Sequence, residues 1–184
     1  MKKSFIILFL VFAVILTGCD AKKEGVKTEY FDFAATEIVE SLKSCSIDMT
    51  ANTIVESEEK NEKIYDYTSH SDSFTDIEGV SSSPIHYIFT CDDTTNKVSH
   101  ILFFFDRNSG LAYFRYLLHL KSIAEYIDSN INWDDVSSAI AKGFDELDYA
   151  IYEAENFELH VSRNEEYFNA SFYPIKNTKG EIKK

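Results

Sequence analysis

The sequence predicts an α+β fold in which amphipathic helices pack on an antiparallel sheet built from two β-hairpins. Two observations predict this class. The segments with strand character occur mostly in neighbouring pairs joined by polar loops, and they do not alternate one by one with helical segments. The order along the chain is a helix, a strand, a hairpin, two helices and a second hairpin. At 184 residues, one domain is the expected number.

The first predicted element is an amphipathic helix over about residues 29–44. Its apolar residues recur at helical spacing: Phe31, Ala35, Ile38, Leu42 and Cys45. Residues 46–83, which follow, are mostly polar and acidic. We therefore expect long surface loops there, with one short strand near residues 64–68.

Paired runs of strand-forming residues indicate the two hairpins. Residues 85–91 and 98–106 are rich in β-branched and aromatic side chains and are separated by a polar loop. Residues 157–162 and 167–173 alternate apolar and polar side chains, and this second hairpin ends at Pro174. Three consecutive phenylalanines, Phe103, Phe104 and Phe105, indicate a strand covered on both faces.

Two helices are predicted between the hairpins. The first covers about residues 111–129. Asn132 is a suitable N-cap for the second, which keeps one apolar face to about residue 155 and contains the unfavourable Gly143. The residues of that face are Val136, Ile140, Phe144, Leu147 and Ile151.

Composition and charge exclude several classes of protein. The chain has 45% hydrophobic residues, which is enough for a core that needs no metal or disulfide framework. It carries 18 basic and 31 acidic side chains, a net charge of −13, so it lacks the Lys/Arg excess that nucleic-acid binding requires. Six glycines are few for a phosphate-binding loop, and no cofactor is predicted.

The amino terminus has the pattern of an export signal. Lys2 and Lys3 are followed by an apolar run from Phe5 to Leu16, which is too short to cross a bilayer core that needs about 20 residues. Leu16, Thr17, Gly18 and Cys19 come next, and this tetrapeptide resembles the lipobox of bacterial lipoproteins. An ordinary signal peptide with Cys19 near its cleavage point is the alternative interpretation.

The resemblance implies cleavage before Cys19 and attachment of a diacylglyceryl group to its sulfur, which would hold the protein on the outer, extracytoplasmic side of the cell membrane. Residues 1–18 are then the removed signal and residues 19–28 a lipidated tether, since they are polar and lack an apolar period. Residues 29–175 form the single α+β domain, and residues 176–184 a polar tail.

The sequence contains none of the catalytic or metal motifs sought, such as His-Glu-x-x-His, paired Cys-x-x-Cys or Gly-x-Ser-x-Gly. Glu158, His160 and Ser162 alternate onto one face of a predicted strand. Neighbours on one face of a strand lie about 7 Å apart, whereas a base must lie about 3 Å from its nucleophile. The solvated face of a strand is the favoured interpretation, and no catalytic residue is assigned.

Two further sets of residues resemble a calcium loop and a disulfide pair. Asp128, Asn130, Asn132 and Asp134 alternate as in a calcium loop, but Trp133 and Ala139 stand where that loop needs Gly and Glu, so helix capping is favoured and no metal is predicted. Cys45 and Cys91 could form a disulfide after export, although free thiols at apolar positions are favoured. His119, which lies among leucines, is expected at the edge of the core.

The sequence thus predicts a membrane-anchored lipoprotein that acts as a non-catalytic binding or interaction module. Removing Lys2 and Lys3 with the signal leaves 16 basic against 31 acidic side chains, a net charge of −15, which would attract a basic protein or peptide. The alternative is an exported hydrolase whose site is assembled only in three dimensions, with Glu158, His160 and Ser162 as candidates. A solute-capturing component of an importer is disfavoured, because such proteins usually need two lobes.

Overall fold

The computed structural model describes residues 29–57, 61–72, 83–108 and 111–175. This part of the chain has a mixed α+β fold with three α-helices and a seven-stranded antiparallel sheet. The helices are α1 (Ala35–Ser44), α2 (Ala112–Ile127) and α3 (Trp133–Glu146). The strands are β1 (Asp48–Ser57), β2 (Glu62–Ser71), β3 (Ile85–Asp92), β4 (Val98–Asp106), β5 (Tyr149–Glu153), β6 (Phe157–Arg163) and β7 (Tyr167–Pro174).

The strands lie in the order β1-β2-β3-β4-β7-β6-β5, and each is antiparallel to its neighbours. The sheet therefore consists of a four-stranded and a three-stranded meander, joined where β4 pairs with β7. Phe103 lies opposite Ala170 and Phe105 opposite Phe168 in this central pair. Helices α2 and α3 form the connection between the two meanders.

The core lies between one face of the sheet and the helices. Strands β3, β6 and β7 alternate buried and half-buried residues, and their buried positions are apolar. Tyr116 of α2 illustrates the packing, since its ring lies 5.4 Å from that of Phe103 and 5.0 Å from that of Phe168. The inner side of α1 is formed by Ala35, Ile38, Val39 and Leu42, all buried.

A sheet built from two hairpins alone is not confirmed. β3–β4 and β6–β7 are antiparallel neighbours at the positions expected for the hairpins, but β1, β2 and β5 add three more strands. The short strand expected near residues 64–68 is the middle of β2, and the expectation of surface loops in residues 46–83 was wrong for β1 and for the two ends of β2. In β1, the adjacent Ile54 and Val55 are 58% and 52% exposed, so neither face of this strand end is buried and the usual alternation is absent.

The last predicted helix is shorter than expected. α3 ends at Glu146, and strand β5 follows at Tyr149–Glu153. The chain reverses at Asp148, whose φ is 56°, and Arg163 fixes this turn by donating hydrogen bonds to the Asp148 carboxylate and the Phe144 carbonyl. Leu147 and Ile151, expected on the apolar face of a helix, are 75% and 49% exposed.

Phe104 corrects a second expectation. The three phenylalanines predicted a strand covered on both faces, yet Phe103 and Phe105 are buried under the helices and Phe104 is half-buried on the opposite face. Its ring stacks on His86 at 4.9 Å. The helices therefore cover only one side of β4 in the described part of the chain.

Gly143 is required where α3 meets β5. A Cβ at this position would lie 2.4 Å from the Ala150 Cβ and 2.6 Å from the Tyr149 carbonyl oxygen, which is closer than non-bonded atoms approach. The residue that weakens the helix signal in the sequence therefore permits the contact between helix and strand.

We predict that Gly143→Ala destabilises the protein by about 1–2 kcal/mol, because overpacking outweighs the gain of up to about 1 kcal/mol in helix propensity. Urea unfolding measures the change. Ser138→Ala, at an exposed position of the same helix, is the control and should leave stability within about 0.5 kcal/mol. A more stable Gly143→Ala protein would contradict the close contact, since propensity alone favours alanine.

Candidate functional site

The side of the sheet that faces away from the helices is the candidate site, and we call it the open face. It consists of the alternate residues of each strand that point away from the core. Representative residues are Ile88, Leu102, Phe104, Ile151, Ser171 and Tyr173. They are half-buried or exposed, whereas the residues on either side of Ile88, Leu102, Phe104 and Ser171 are buried. An apolar and aromatic surface of this kind is typical of interaction sites.

Three histidines on the open face lie against aromatic rings. His86 stacks on Phe104, and His100 stacks on Tyr173 at 4.6 Å. The His160 and Tyr173 rings lie in a T-shaped arrangement with their centres 5.2 Å apart. These contacts join strands β3, β4, β7 and β6 into one aromatic surface.

The protonation of two of these histidines follows from their surroundings. Burial lowers the pKa of His100 to about 4, with a smaller contribution from the neighbouring His160. Burial also lowers the pKa of His86, against the opposing effect of the Asp66 carboxylate. Both rings are therefore neutral at pH 7, and they contribute aromatic surface without positive charge.

Glu158, His160 and Tyr149 form a hydrogen-bonded cluster at one side of the open face. The His160 Nε2 lies at the Glu158 carboxylate, which can only accept, so Nε2 carries the proton. The Tyr149 hydroxyl then donates to His160 Nδ1 at 3.0 Å. Both ring nitrogens are occupied, so Ser162, the hydroxyl considered from the sequence, is not the one bound to this imidazole. Ser162 lies opposite Tyr149 and Asn169 in the sheet.

The cluster connects a hydroxyl, a base and an orienting carboxylate, which is the connectivity of an activated nucleophile. It does not, however, lower the pKa of the hydroxyl. Burial raises the pKa of Tyr149, and the Glu158 carboxylate and the Tyr173 hydroxyl raise it further. The arrangement instead fixes the ring positions of Tyr149 and His160 on the surface.

A second polar cluster is completely buried between α2 and the sheet. The Arg115 Nε donates to the Asp72 Oδ2 at 2.7 Å, and the His119 Nε2 lies 3.1 Å from the same oxygen. Because Nε2 donates to the carboxylate, Nδ1 accepts from the Tyr87 hydroxyl. The side chains of Asp72 and His119 are 0% exposed, and the Arg115 guanidinium also lies 4.9 Å from the centre of the Phe105 ring.

Burial explains the protonation states in this cluster. It lowers the pKa of His119, although the Asp72 carboxylate opposes the change, and it raises the pKa of Tyr87 well above its usual value. Asp72, at the end of β2, thus holds a neutral histidine and a charged arginine from successive turns of α2. These completely buried side chains join α2 to the end of β2.

The sequence indicated only part of this cluster. His119 was expected at the edge of the core and is fully buried. Arg115 and His119 are four residues apart, a spacing that places two side chains on one helix face, but an arginine is rarely completely buried. Asp72 lies in the acidic stretch that predicted surface loops, so its burial had no signal in the sequence.

The other predicted site residues have local roles or lie outside the described part. The Asn132 side chain caps α3 by accepting from the Asp134 backbone N–H, and Asp128 accepts from that of Asn130, so the capping interpretation of this stretch is confirmed. Cys45 is an exposed free thiol and Cys91 a buried one. Cys19, the predicted signal and tether in residues 1–28, and the tail in residues 176–184 lie outside the described residues.

Searches of the described residues and of known proteins give three results. Within residues 29–57, 61–72, 83–108 and 111–175, no group of three or more His, Cys, Asp or Glu side chains is arranged to hold a metal ion. No described helix is long and apolar enough to span a membrane. Comparison with protein-family models, curated proteins and solved structures finds no match for this chain.

We predict that Asp72→Asn lowers the free energy of unfolding by about 3–5 kcal/mol, because it leaves the buried Arg115 charge without its carboxylate. Chemical denaturation at pH 7 measures the loss. Asp145→Asn, at an exposed position of α3, should change stability by less than about 0.5 kcal/mol. Equal effects of the two substitutions would show that the buried ion pair does not hold α2 to the sheet.

Proposed function

We propose that this chain is a membrane-anchored bacterial lipoprotein whose folded domain is a non-catalytic binding module. The observation that carries the proposal is the open face, where aromatic and aliphatic residues remain uncovered by the described helices. A sheet with one face packed and one face apolar and accessible is suited to binding a partner.

The sequence of residues 1–28 supports the anchored part of the proposal. A charged start, a short apolar run and the tetrapeptide ending in Cys19 occur together. Two acyl chains on one cysteine would supply the double anchor that a single chain does not. The ten residues 19–28 could extend about 30 Å, which leaves the domain free to meet a partner above the bilayer.

Binding has better support than hydrolysis. An exported hydrolase would use Glu158, His160 and Ser162, but the His160 ring is already bonded on both sides, to Glu158 and to Tyr149. The hydroxyl that does reach His160 belongs to Tyr149, and its pKa is raised. The cluster therefore supports an ordered binding surface better than a nucleophile and its base.

We predict that Cys19→Ser moves the protein from the membrane to the soluble fraction and abolishes its labelling by radioactive palmitate, because the sulfur is the attachment atom. Cell fractionation and autoradiography measure both effects. Cys45→Ser, which removes an exposed thiol outside the signal, is the matched control and should change neither. Membrane-bound, labelled Cys19→Ser protein would contradict the lipid anchor.

The open face is tested by placing a photoreactive phenylalanine analogue at Tyr173 in the full-length protein in cells. We expect illumination to produce one discrete cross-linked species, because Tyr173 contacts His100 and His160 on that face and is 38% exposed. The same analogue at Phe114, which is 60% exposed on α2, is the control and should give no such species. Cross-linking from Phe114 alone, or from neither position, would contradict docking on the open face.

A further inference from the structure

The charges of the domain are distributed unevenly between the two sides of the sheet. Of the described lysines and arginines, none lies on the open face. They lie on the helices, in turns, or on the side of the sheet that faces the helices: Lys43, Lys63, Lys97, Arg107, Arg115, Lys121, Lys142 and Arg163. Carboxylates do occur on the open face, at Glu62, Asp66, Asp92, Asp106, Glu153 and Glu158. Among the described residues, this surface therefore offers anionic and aromatic groups without a lysine or arginine.

Asp66 and Glu158 flank an apolar centre. Asp66 of β2 begins a row that continues through Ile88, Leu102 and Ser171 to His160 of β6. Glu158 lies beside His160 at the far end of this row. Four strand spacings separate β2 from β6, which is about 19 Å. A small cation is too short to reach both ends, whereas about six residues of extended peptide match the distance.

Glu153 and Glu158 independently indicate a positively charged occupant. They lie directly opposite each other on β5 and β6, an arrangement in which like charges destabilise a sheet. A cation above this pair would relieve the repulsion. Tyr173 lies next to Glu158 in the sheet and, at 38% exposure, adds aromatic surface beside this pair.

We infer that the open face binds an extended peptide segment that carries a lysine or arginine at each end of an apolar stretch, with about six residues between the two cations. The inference rests on the proposed function, because it uses the same surface. A second copy of this chain is a poor occupant, since both surfaces would carry the same carboxylates.

The test is a selection from a library of random decapeptides with the full-length protein in detergent micelles. We expect the retained peptides to be enriched in lysine and arginine, with pairs about six residues apart. Fluorescence anisotropy of the retained peptides then compares two double variants of equal charge change. Asp66→Asn with Glu153→Gln should weaken binding about tenfold, whereas Asp135→Asn with Asp145→Asn on α3 should leave it within about twofold.

Three outcomes overturn the inference. The first is a set of retained peptides without enrichment in lysine and arginine, or no retained peptide at all. The second is equal binding by the two double variants. The third is a large gain of binding when residues 176–184, which contain four lysines, are deleted, because the chain's own tail would then be the occupant. If one of these outcomes occurs and Tyr173 still cross-links a partner in cells, the proposed function stands and only the inferred charge of the partner is wrong. If Tyr173 does not cross-link a partner either, the proposed function also fails.

Discussion

The pairing of β4 with β7 is the constraint on which the rest of the structure depends. It joins the four-stranded and three-stranded meanders into one sheet, and its partners are far apart in the sequence. The connection from β4 to β5 passes through α2 and α3, and both helices pack on the same side of the sheet, where Tyr116 and Phe144 contact Phe168. The aromatic residues of β4 and β7 that face the helices, Phe103, Phe105 and Phe168, make this pairing favourable through burial.

One-sided packing follows from this topology, and it gives the two sides of the sheet different chemistry. The inner side has a charged cluster that is closed to solvent, in which Asp72 binds Arg115 and His119 of α2. The outer side has half-exposed histidines and tyrosines in contact with one another. Because buried charges are costly unless paired, the inner cluster serves the attachment of the helix, and the groups available to a partner lie on the outer side.

The sequence predicted the elements that alternate between a buried and an open side. β3, β4, β6, β7 and α2 were expected within a few residues. α1 begins at Ala35, six residues later than expected, and α3 ends at Glu146, before the end expected near residue 155. Strands β1 and β5 lie at the edges of the sheet and keep large apolar residues such as Ile54 and Ile151 exposed, so hydrophobic periodicity did not indicate them. The Asp72 contacts depend on tertiary structure, and no local pattern encodes them.

The sequence also predicted part of the open face. The alternation of Glu158, His160 and Ser162 placed a carboxylate and an imidazole on one side of a strand, which is correct. The hydroxyl bound to His160 comes instead from Tyr149, on a strand that the sequence assigned to a helix. A site formed by side chains from neighbouring strands depends on the register of the sheet. Residue types can indicate its chemistry, but the pairing of the strands decides which side chains meet.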